Sequence, residues 1–427
     1  LTGWGGGTWG AGVWGTGGTS TEAIRLWSQS NFGEDLVFGP RGGDIFYWDA
    51  TNGVTTRAVY LNTLSGASDV PTKQNFTLVS DVSRFVFCFG VNALGSATFD
   101  PMLIRWSDQE DPANWTPAST NQAGSIRLSK GTEIVTAKQA RQEVLVWTDS
   151  SLYSLQYQGA PIVWGTQLVG DNISIASQNA VGFSGGVAYW MGRDKFYAYD
   201  GRTQTLPCDV RRFVFNDFNA LQYDQVFAGT NEAFHEIWWF YCSANSQTID
   251  RYVVYNYLEK NWYYGTMART AWLDSGLREY PLATTYSYNL VNHEFGTDDN
   301  ETGTPAAITA TITSGQFDID DGDRFAFIWR IMPDMTFDGS TADSPHASMS
   351  LLPLANAGSG YNSPTSEGGS NSGSVIRTAT VPVEKFTGQV NTRVRGRQMS
   401  IKIESDSLGV KWQLGSPRVD MRPDGRR

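Results

Sequence analysis

The residues best suited to acid–base chemistry are the carboxylates of one short segment. Asp108, Glu110 and Asp111 lie within four positions of one another. Glycoside hydrolysis uses two carboxyl groups about 5 to 9.5 Å apart, so Asp108 and Glu110 are candidate catalytic residues. The same segment also suits a turn in which Asp111 caps the bend at Pro112 and Trp115 packs between two sheets. We favour the turn.

A second group of carboxylates has the composition of a calcium loop. The segment Asp318–Asp323 carries four aspartates around Gly322, and calcium prefers such oxygen ligands. However, the glycine lies one position early for an EF-hand loop, and no acidic residue occupies the closing position. We therefore interpret the segment as a solvated hairpin turn and predict no metal and no cofactor.

Other nucleophilic and metal-binding residues are few and scattered. No histidine has the spacing of a zinc protease, no serine lies in a G-x-S-x-G elbow, and the N-terminal glycines lack the Lys-Ser/Thr of a phosphate loop. An odd number of distant cysteines argues against a disulfide framework. We predict that the protein is not an enzyme and has no catalytic, cofactor-binding or metal-binding residues. The residues considered are His235, His293 and His346, with Cys88, Cys208 and Cys242.

Composition favours an all-β protein. Only 18% of the 427 residues are charged, whereas 13% are aromatic and 45 are glycine, as in chains rich in strands and tight turns. The net charge of −11 makes the chain a poor candidate for gripping nucleic acid, which requires Lys and Arg. No apolar run approaches the roughly 20 residues that span a bilayer, so we predict no membrane insertion.

A short aromatic phrase recurs along the first two thirds of the chain. Its tryptophans are separated by 58, 41, 43 and 49 residues, and each phrase alternates apolar residues with others before a polar or glycine turn. This pattern is typical of a half-buried strand in a hairpin. Recurrence at roughly 40 to 50 residues predicts four-stranded units of the size of a propeller blade. The tryptophans are Trp48, Trp106, Trp147, Trp190 and Trp239.

The residue pattern of the sequence changes near residue 300, which divides the chain into two regions. We predict a β-propeller-like repeat region over residues 1–300, opened by a Gly/Trp-rich segment at 1–20, with one short helix or irregular loop at 209–223. We predict a smaller β-rich, sandwich-like unit over 301–427, with an exposed Gly/Ser-rich loop at 356–374. Because the chain begins at Leu1 rather than Met, we expect further residues upstream.

Several phrases together resemble the propeller-bearing tail proteins of short-tailed bacteriophages, the tail tubular protein B or nozzle type that includes the phage stabilisation proteins. The resemblance runs from the Gly/Trp segment to the C-terminus and rests on the order and combination of the phrases. They are residues 101–117, Val146–Tyr153, Tyr189–Gly192, Phe196–Gly201, Arg269–Asp274, Arg395–Met399, Val410–Gly415 and Asp420–Arg426.

The resemblance implies a non-enzymatic structural component of the virion tail. Such proteins form a hexameric ring below the portal and adaptor proteins and above the tail fibres or the plug or needle proteins, and double-stranded DNA passes through the ring without sequence-specific contact. It also implies that residues 301–427 form part of a platform domain together with an upstream region. No catalytic residues can be carried over. The acidic net charge leads to the hypothesis that an acidic lumen lets DNA slide.

The alternative interpretation is a propeller-fold glycan-binding protein or a sialidase-like glycoside hydrolase. The segment Ser107–Trp115 resembles the Ser/Asp/Trp turn of sialidase blades, but it occurs once and with altered spacing. Sialidases also hold the substrate carboxylate with an arginine cluster, which the sequence does not identify. Glycoside cleavage that is lost on Asp108→Asn or Glu110→Gln substitution would distinguish this alternative.

Overall fold

The computed structural model describes residues 24–81, 83–276, 278–319, 322–354 and 379–425. The Gly/Trp-rich segment, the Gly/Ser-rich tract, Asp320 and Asp321 lie outside the described residues. The chain divides into two compact units, Leu1–Leu290 and Val291–Arg427. This division falls earlier than residue 300 because the strand pair Asp298–Asp299 with Ala306–Ala307 spans that position.

The described residues of the first unit form five four-stranded antiparallel sheets, each made of consecutive strands. We number them sheets 1 to 5 in chain order. Their strands are β1 (Trp27–Phe32), β2 (Asp35–Pro40), β3 (Phe46–Trp48) and β4 (Val59–Tyr60); β5 (Gln74–Val79), β6 (Val86–Asn92), β7 (Phe99–Trp106) and β8 (Gly124–Arg127); β9 (Ile134–Gln139), β10 (Val144–Thr148), β11 (Ser151–Tyr157) and β12 (Trp164–Asp171); β13 (Val181–Ser184), β14 (Val187–Met191), β15 (Phe196–Tyr199) and β16 (Thr203–Leu206); and β17 (Phe227–Asn231), β18 (Glu236–Tyr241), β19 (Arg251–Asn256) and β20 (Asn261–Thr266).

The first strands of successive sheets lie beside each other at three places, as in the blades of a propeller. β1 runs beside β5, β5 beside β9, and β13 beside β17. Serine side chains join the first two, because the backbone N–H groups of Thr77 and Val79 donate to Ser28 Oγ and Ser30 Oγ at 3.0 and 3.1 Å. Middle strands such as β6 are buried along their whole length, since neighbouring sheets cover both faces. The all-β, propeller-like prediction is confirmed.

Aromatic clusters fill the space between successive sheets. Phe87 of sheet 2 meets Trp164 of sheet 3 edge-on at 4.9 Å between ring centroids. Trp147 of sheet 3 meets Trp190 of sheet 4 at 5.4 Å. Phe196 of sheet 4 lies 5.0 Å from Trp239 of sheet 5. These rings bury large apolar areas and thereby hold neighbouring sheets together.

Shorter elements complete the first unit. The helix α1 (Arg211–Asn216) and a 3-10 turn at Ala220–Gln225 connect sheets 4 and 5, where the sequence predicts a short helix or irregular loop. Three other 3-10 turns are Ala50–Asn52, Leu61–Thr63 and Glu232–Phe234. After sheet 5 come β21 (Ala271–Leu273) and β22 (Leu282–Thr284), which pair antiparallel, and then β23 (Leu290–Asn292), in which the division between the units falls.

The second unit is a smaller β-sandwich-like unit, as predicted. Two sheets, with strand orders β26–β33–β30–β31 and β32–β28–β35, share one core that includes Ile328, Val394, Met349 and Ile403. β27 adds to β33, and two short pairs, β24 with β25 and β29 with β34, flank the sheets. The strands are β24 (Asp298–Asp299), β25 (Ala306–Ala307), β26 (Ala310–Thr313), β27 (Phe317–Asp318), β28 (Ala326–Met332), β29 (Met335–Thr336), β30 (His346–Leu354), β31 (Ala379–Glu384), β32 (Val390–Gly396), β33 (Gln398–Ser405), β34 (Gln413–Leu414) and β35 (Arg418–Pro423).

Candidate functional site

The carboxylate of Asp108 stabilises a loop. Its Oδ1 accepts hydrogen bonds from the backbone N–H groups of Gln109 and Gln122, both at 2.8 Å. Glu110 occupies a left-handed backbone conformation with φ of 59°, which is typical of a tight turn. Asp108 therefore holds together the two ends of the loop that follows β7.

The rest of this segment forms the turn that the sequence favoured. Asp111 Oδ1 accepts from the backbone N–H of Ala113 at 2.9 Å. Trp115 is 1% exposed, and its Nε1 donates to the carbonyl of Pro112 at 2.8 Å. Its ring belongs to the core between sheets 1 and 2, beside Val37. This turn interpretation is confirmed, and the geometry of the segment is that of a packing element.

The segment Asp318–Asp323 is only partly described. Asp318 Oδ2 accepts from Gln398 Nε2 at 3.1 Å, which ties the end of β27 to β33. Within the described ranges, no three His, Cys, Asp or Glu side chains come together as a possible metal site. None of the described helices has both the length and the apolarity to cross a bilayer.

The histidines and cysteines lie in separate environments. His235 Nδ1 is 3.3 Å from the hydroxyl of Tyr257, and His346 Nδ1 is 3.3 Å from the carbonyl oxygen of Ser344. Cys88 is fully buried, and burial raises the pKa of its thiol to about 12. A thiol with so high a pKa is a weak nucleophile at neutral pH.

A polar cleft of about 470 Å³ opens in the first unit. Arg41 holds Asp224 in a two-pronged ion pair, with Nη1–Oδ1 and Nη2–Oδ2 distances of 3.0 and 2.8 Å. The hydrogen bonds to Asp224 raise the pKa of Arg41. The Arg193 guanidinium lies 5.6 Å from the Tyr223 ring centroid. The cleft contains two positive side chains, Arg41 and Arg193, and two carboxylates, Asp224 and Glu133. It therefore does not select for one sign of charge.

Sequence reasoning missed this cleft because its residues come from distant parts of the chain. The wall combines positions 41, 75, 133, 176, 193, 220, 221, 223 and 224. No spacing pattern connects them, and only the packing of consecutive sheets brings them together.

The outer face of sheet 1 carries a row of aromatic rings, one from each strand, of which the two outermost are exposed and the two central ones half-buried. They are Trp27, Phe38, Phe46 and Tyr60, with neighbouring ring centroids 6.1, 5.5 and 4.8 Å apart. Trp27 is 53% exposed and Tyr60 49% exposed. The opposite face of the same sheet, which includes Val37, is buried in the core shared with sheet 2. We call this row the sheet 1 aromatic face.

The last strands of the repeat are also apolar on their surface. Trp272 of β21 stacks on Trp238 of sheet 5 at 5.4 Å, so one side of β21 is covered. Leu273, Tyr288 and Leu290 are 59%, 100% and 66% exposed. Both ends of the first unit therefore present apolar side chains to solvent, which is typical of surfaces that bind other proteins.

Comparison with known proteins gives partial matches in structure alone. No protein family and no curated protein matches the chain. Among solved structures, the chain is similar to the computationally designed Ika8 protein, with a TM-score of 0.38 and 11% identity over 62% of this chain and 69% of that one. It is similar to Kluyveromyces lactis Hsv2p, with a TM-score of 0.36 and 8% identity over 66% and 77% of the two chains. It is also similar to YCF48 in complex with a D1 peptide, with a TM-score of 0.36 and 9% identity over 62% and 75%.

Proposed function

We propose that this protein is a structural subunit of a short bacteriophage tail, in which copies assemble head to tail into a nozzle ring that extends the DNA-ejection channel. The proposal starts from the sequence phrases that resemble this class of tail protein. Two of these phrases, residues 101–117 and 196–201, form packing elements, in which Trp115 and Phe196 are buried between sheets. Residues with this role suit a rigid building block.

The observation that carries the proposal is the sheet 1 aromatic face. Between sheets 2, 3, 4 and 5, aromatic clusters of this kind are covered by the next sheet. On sheet 1 the rings of Trp27 and Tyr60 are about half exposed. Leaving such a surface in water is unfavourable by roughly 25 cal/mol per Å² of apolar area. A neighbouring subunit is the occupant that we propose.

The second apolar end, around Leu273 and Leu290, supplies a different surface. Contact between two different surfaces of identical copies is heterologous, and such a contact generates a closed ring when the rotation between copies divides the circle. A stack of stiff sheets keeps that rotation constant from copy to copy. The proposed partners remain those of the tail: portal and adaptor proteins on one side, and fibres or plug proteins on the other.

The ring proposal is tested by native mass spectrometry and electron microscopy of the purified chain. We expect six-fold rings for the unaltered protein. The double substitution Trp27→Ser with Tyr60→Ser should release monomers while the far-ultraviolet circular dichroism stays unchanged, because both side chains are about half exposed and lie outside the buried core.

A matched control removes equally exposed apolar side chains from the second unit. Phe386 is 91% and Leu408 52% exposed. Phe386→Ser with Leu408→Ser should retain the rings. A chain that stays monomeric at tens of micromolar, or rings that survive loss of the sheet 1 aromatic face, would contradict this assembly.

A further inference from the structure

The outward face of the β32–β28–β35 sheet concentrates arginine in a chain whose net charge is −11. Strand alternation produces this face: on β32, Val390, Thr392 and Val394 are buried, whereas Arg393 is exposed and Arg395 half-buried. We call it the arginine face. Its arginines are Arg330, Arg393, Arg395, Arg397, Arg418 and Arg422.

Aromatic rings alternate with these arginines across the sheet. Phe327 on the central strand β28 lies opposite Arg395 on β32 and opposite Arg422 on β35. The Arg422 guanidinium lies 5.2 Å from the Phe327 ring centroid. Phe325 holds two more guanidiniums, those of Arg395 and Arg397, at 4.0 and 4.9 Å. Stacking on a ring fixes the orientation of a guanidinium group.

The middle of the face also exposes an indole. Trp329 lies at a bulge in β28, between Ile328 and Arg330, and is 40% exposed. Trp329 follows the alternation of β28 and lies outward like Phe327, whereas the bulge places the neighbouring Arg330 on the outward side as well. An exposed aromatic ring beside arginines is a stacking surface for a nucleic-acid base.

Two aspartates on this face offset only part of its positive charge. Asp420 pairs with Arg330, and Asp424 accepts from Arg395 Nε at 2.7 Å. Arg393, Arg418 and Arg422 are exposed, and no carboxylate in the described part of the chain pairs with them. Arg397 donates to the backbone carbonyls of Gly322 and Asp323 at 3.3 and 2.9 Å, and the three exposed arginines leave the face positive.

We propose that the arginine face binds nucleic acid through its phosphate backbone. The face is an open sheet surface, which suits an extended polymer. Guanidinium forks match phosphate oxygens in a two-pronged geometry. Successive outward residues on a strand are about 6.6 to 6.8 Å apart, so the exposed Arg418 and Arg422 of β35 lie roughly 13 Å apart, and the exposed Arg393 of β32 adds a third donor. This proposal is independent of ring assembly, since it concerns one sheet of the second unit.

The test is fluorescence anisotropy with a labelled 25-base-pair duplex and a labelled 25-nucleotide single strand, titrated with the full chain in 50 to 200 mM salt. We expect the triple substitution Arg393→Ala, Arg418→Ala and Arg422→Ala to weaken binding at least tenfold at 50 mM salt. The slope of log K against log salt should fall by about three, since each lost arginine releases roughly one phosphate contact. Trp329→Ala should weaken single-strand binding more than duplex binding.

The matched control removes three exposed arginines from the first unit, Arg57, Arg141 and Arg202. This control should bind like the unaltered chain. Equal loss in both triple variants, or affinity for nucleic acid that does not depend on salt, would overturn the proposal. Loss of ring assembly in the arginine-face variant, with nucleic-acid binding unchanged, would also overturn it and identify an acidic protein surface as the partner.

Discussion

The cores of the first unit and the arginine face of the second unit use aromatic side chains in opposite ways. In the first unit, rings such as Trp147, Trp190 and Trp239 lie between sheets and are fully buried. In the second unit, Phe325 and Phe327 support arginines on the outward face of a sheet. The first arrangement contributes stability through buried area and ring packing, whereas the second positions charge. The high aromatic content of this chain therefore serves two physical roles, which are packing between sheets and the positioning of charged side chains.

The comparison is tested most strongly at Trp239. Its indole is fully buried, its Nε1 donates to the carbonyl of Ala180 at 2.9 Å, and it packs against Phe196 and Trp262. We expect Trp239→Ala to lower the free energy of unfolding by about 3 to 5 kcal/mol. Urea denaturation followed by circular dichroism measures this loss. Trp239→Phe keeps a ring in the gap and should lose distinctly less; equal losses would refute the packing role.

The second test concerns Arg105, for which we expect a large but somewhat smaller loss of stability. Unlike the arginines of the arginine face, this one is buried. Its side chain is 1% exposed and donates through Nη2 to Asp69 Oδ2 at 2.8 Å and through Nη1 to the Asn92 carbonyl at 3.3 Å. Arg105→Met leaves the Asp69 carboxylate without its ion pair, so we expect a loss of about 3 kcal/mol. Arg57→Met, at an exposed position, should change urea stability by less than about 0.5 kcal/mol.

The pH dependence of stability is the third test. Burial raises the pKa of Glu236, and hydrogen bonds from Tyr263 and Trp238 oppose that shift. In the native state Glu236 therefore keeps its proton up to a higher pH than in the unfolded chain, in which glutamates titrate at about 4.3. Between these two values the native state holds more protons, so the Glu236 contribution to stability falls as pH rises.

The variant Glu236→Gln isolates this effect. Its stability relative to the unaltered chain should increase as pH rises from about 4.3 through the native pKa and then level off. Urea midpoints measured at intervals of half a pH unit supply the comparison. A difference that decreases with rising pH would show that hydrogen bonding outweighs burial at this site.

The recurring aromatic phrase predicted the four-stranded sheets, but it did not predict which strand of each sheet carries the tryptophan. Trp106 lies on the third strand of its sheet, whereas Trp147 and Trp190 lie on the second strands of theirs. The step of 41 residues from Trp106 to Trp147 therefore includes a shift of one strand. Alternation identifies strands, but an aromatic residue fits either middle strand because both are covered on two faces.

The sites were harder to predict than the sheets, for two reasons. The polar cleft joins Arg41 to Asp224, and no local pattern reports a contact across that separation. The arginine face, by contrast, has a local signal in the alternation of Arg393, Arg395 and Arg397 along one segment. The net charge gave no indication of the arginine face, because a total of −11 does not say how charges are distributed between surfaces.

The smallest expected effect sharpens the comparison between the units. Trp329 is 40% exposed and lies at a bulge, so Trp329→Ala should lower the free energy of unfolding by less than about 1 kcal/mol, in contrast with the loss at Trp239. The measurement is urea denaturation under the conditions used for Trp239→Ala. A loss comparable to that at Trp239 would show that Trp329 is a packing residue, and it would remove the indole from the surface available to a base. A small loss together with weakened single-strand binding would separate the two roles of aromatic residues within this chain, since a ring that adds little to stability but much to binding acts on its partner.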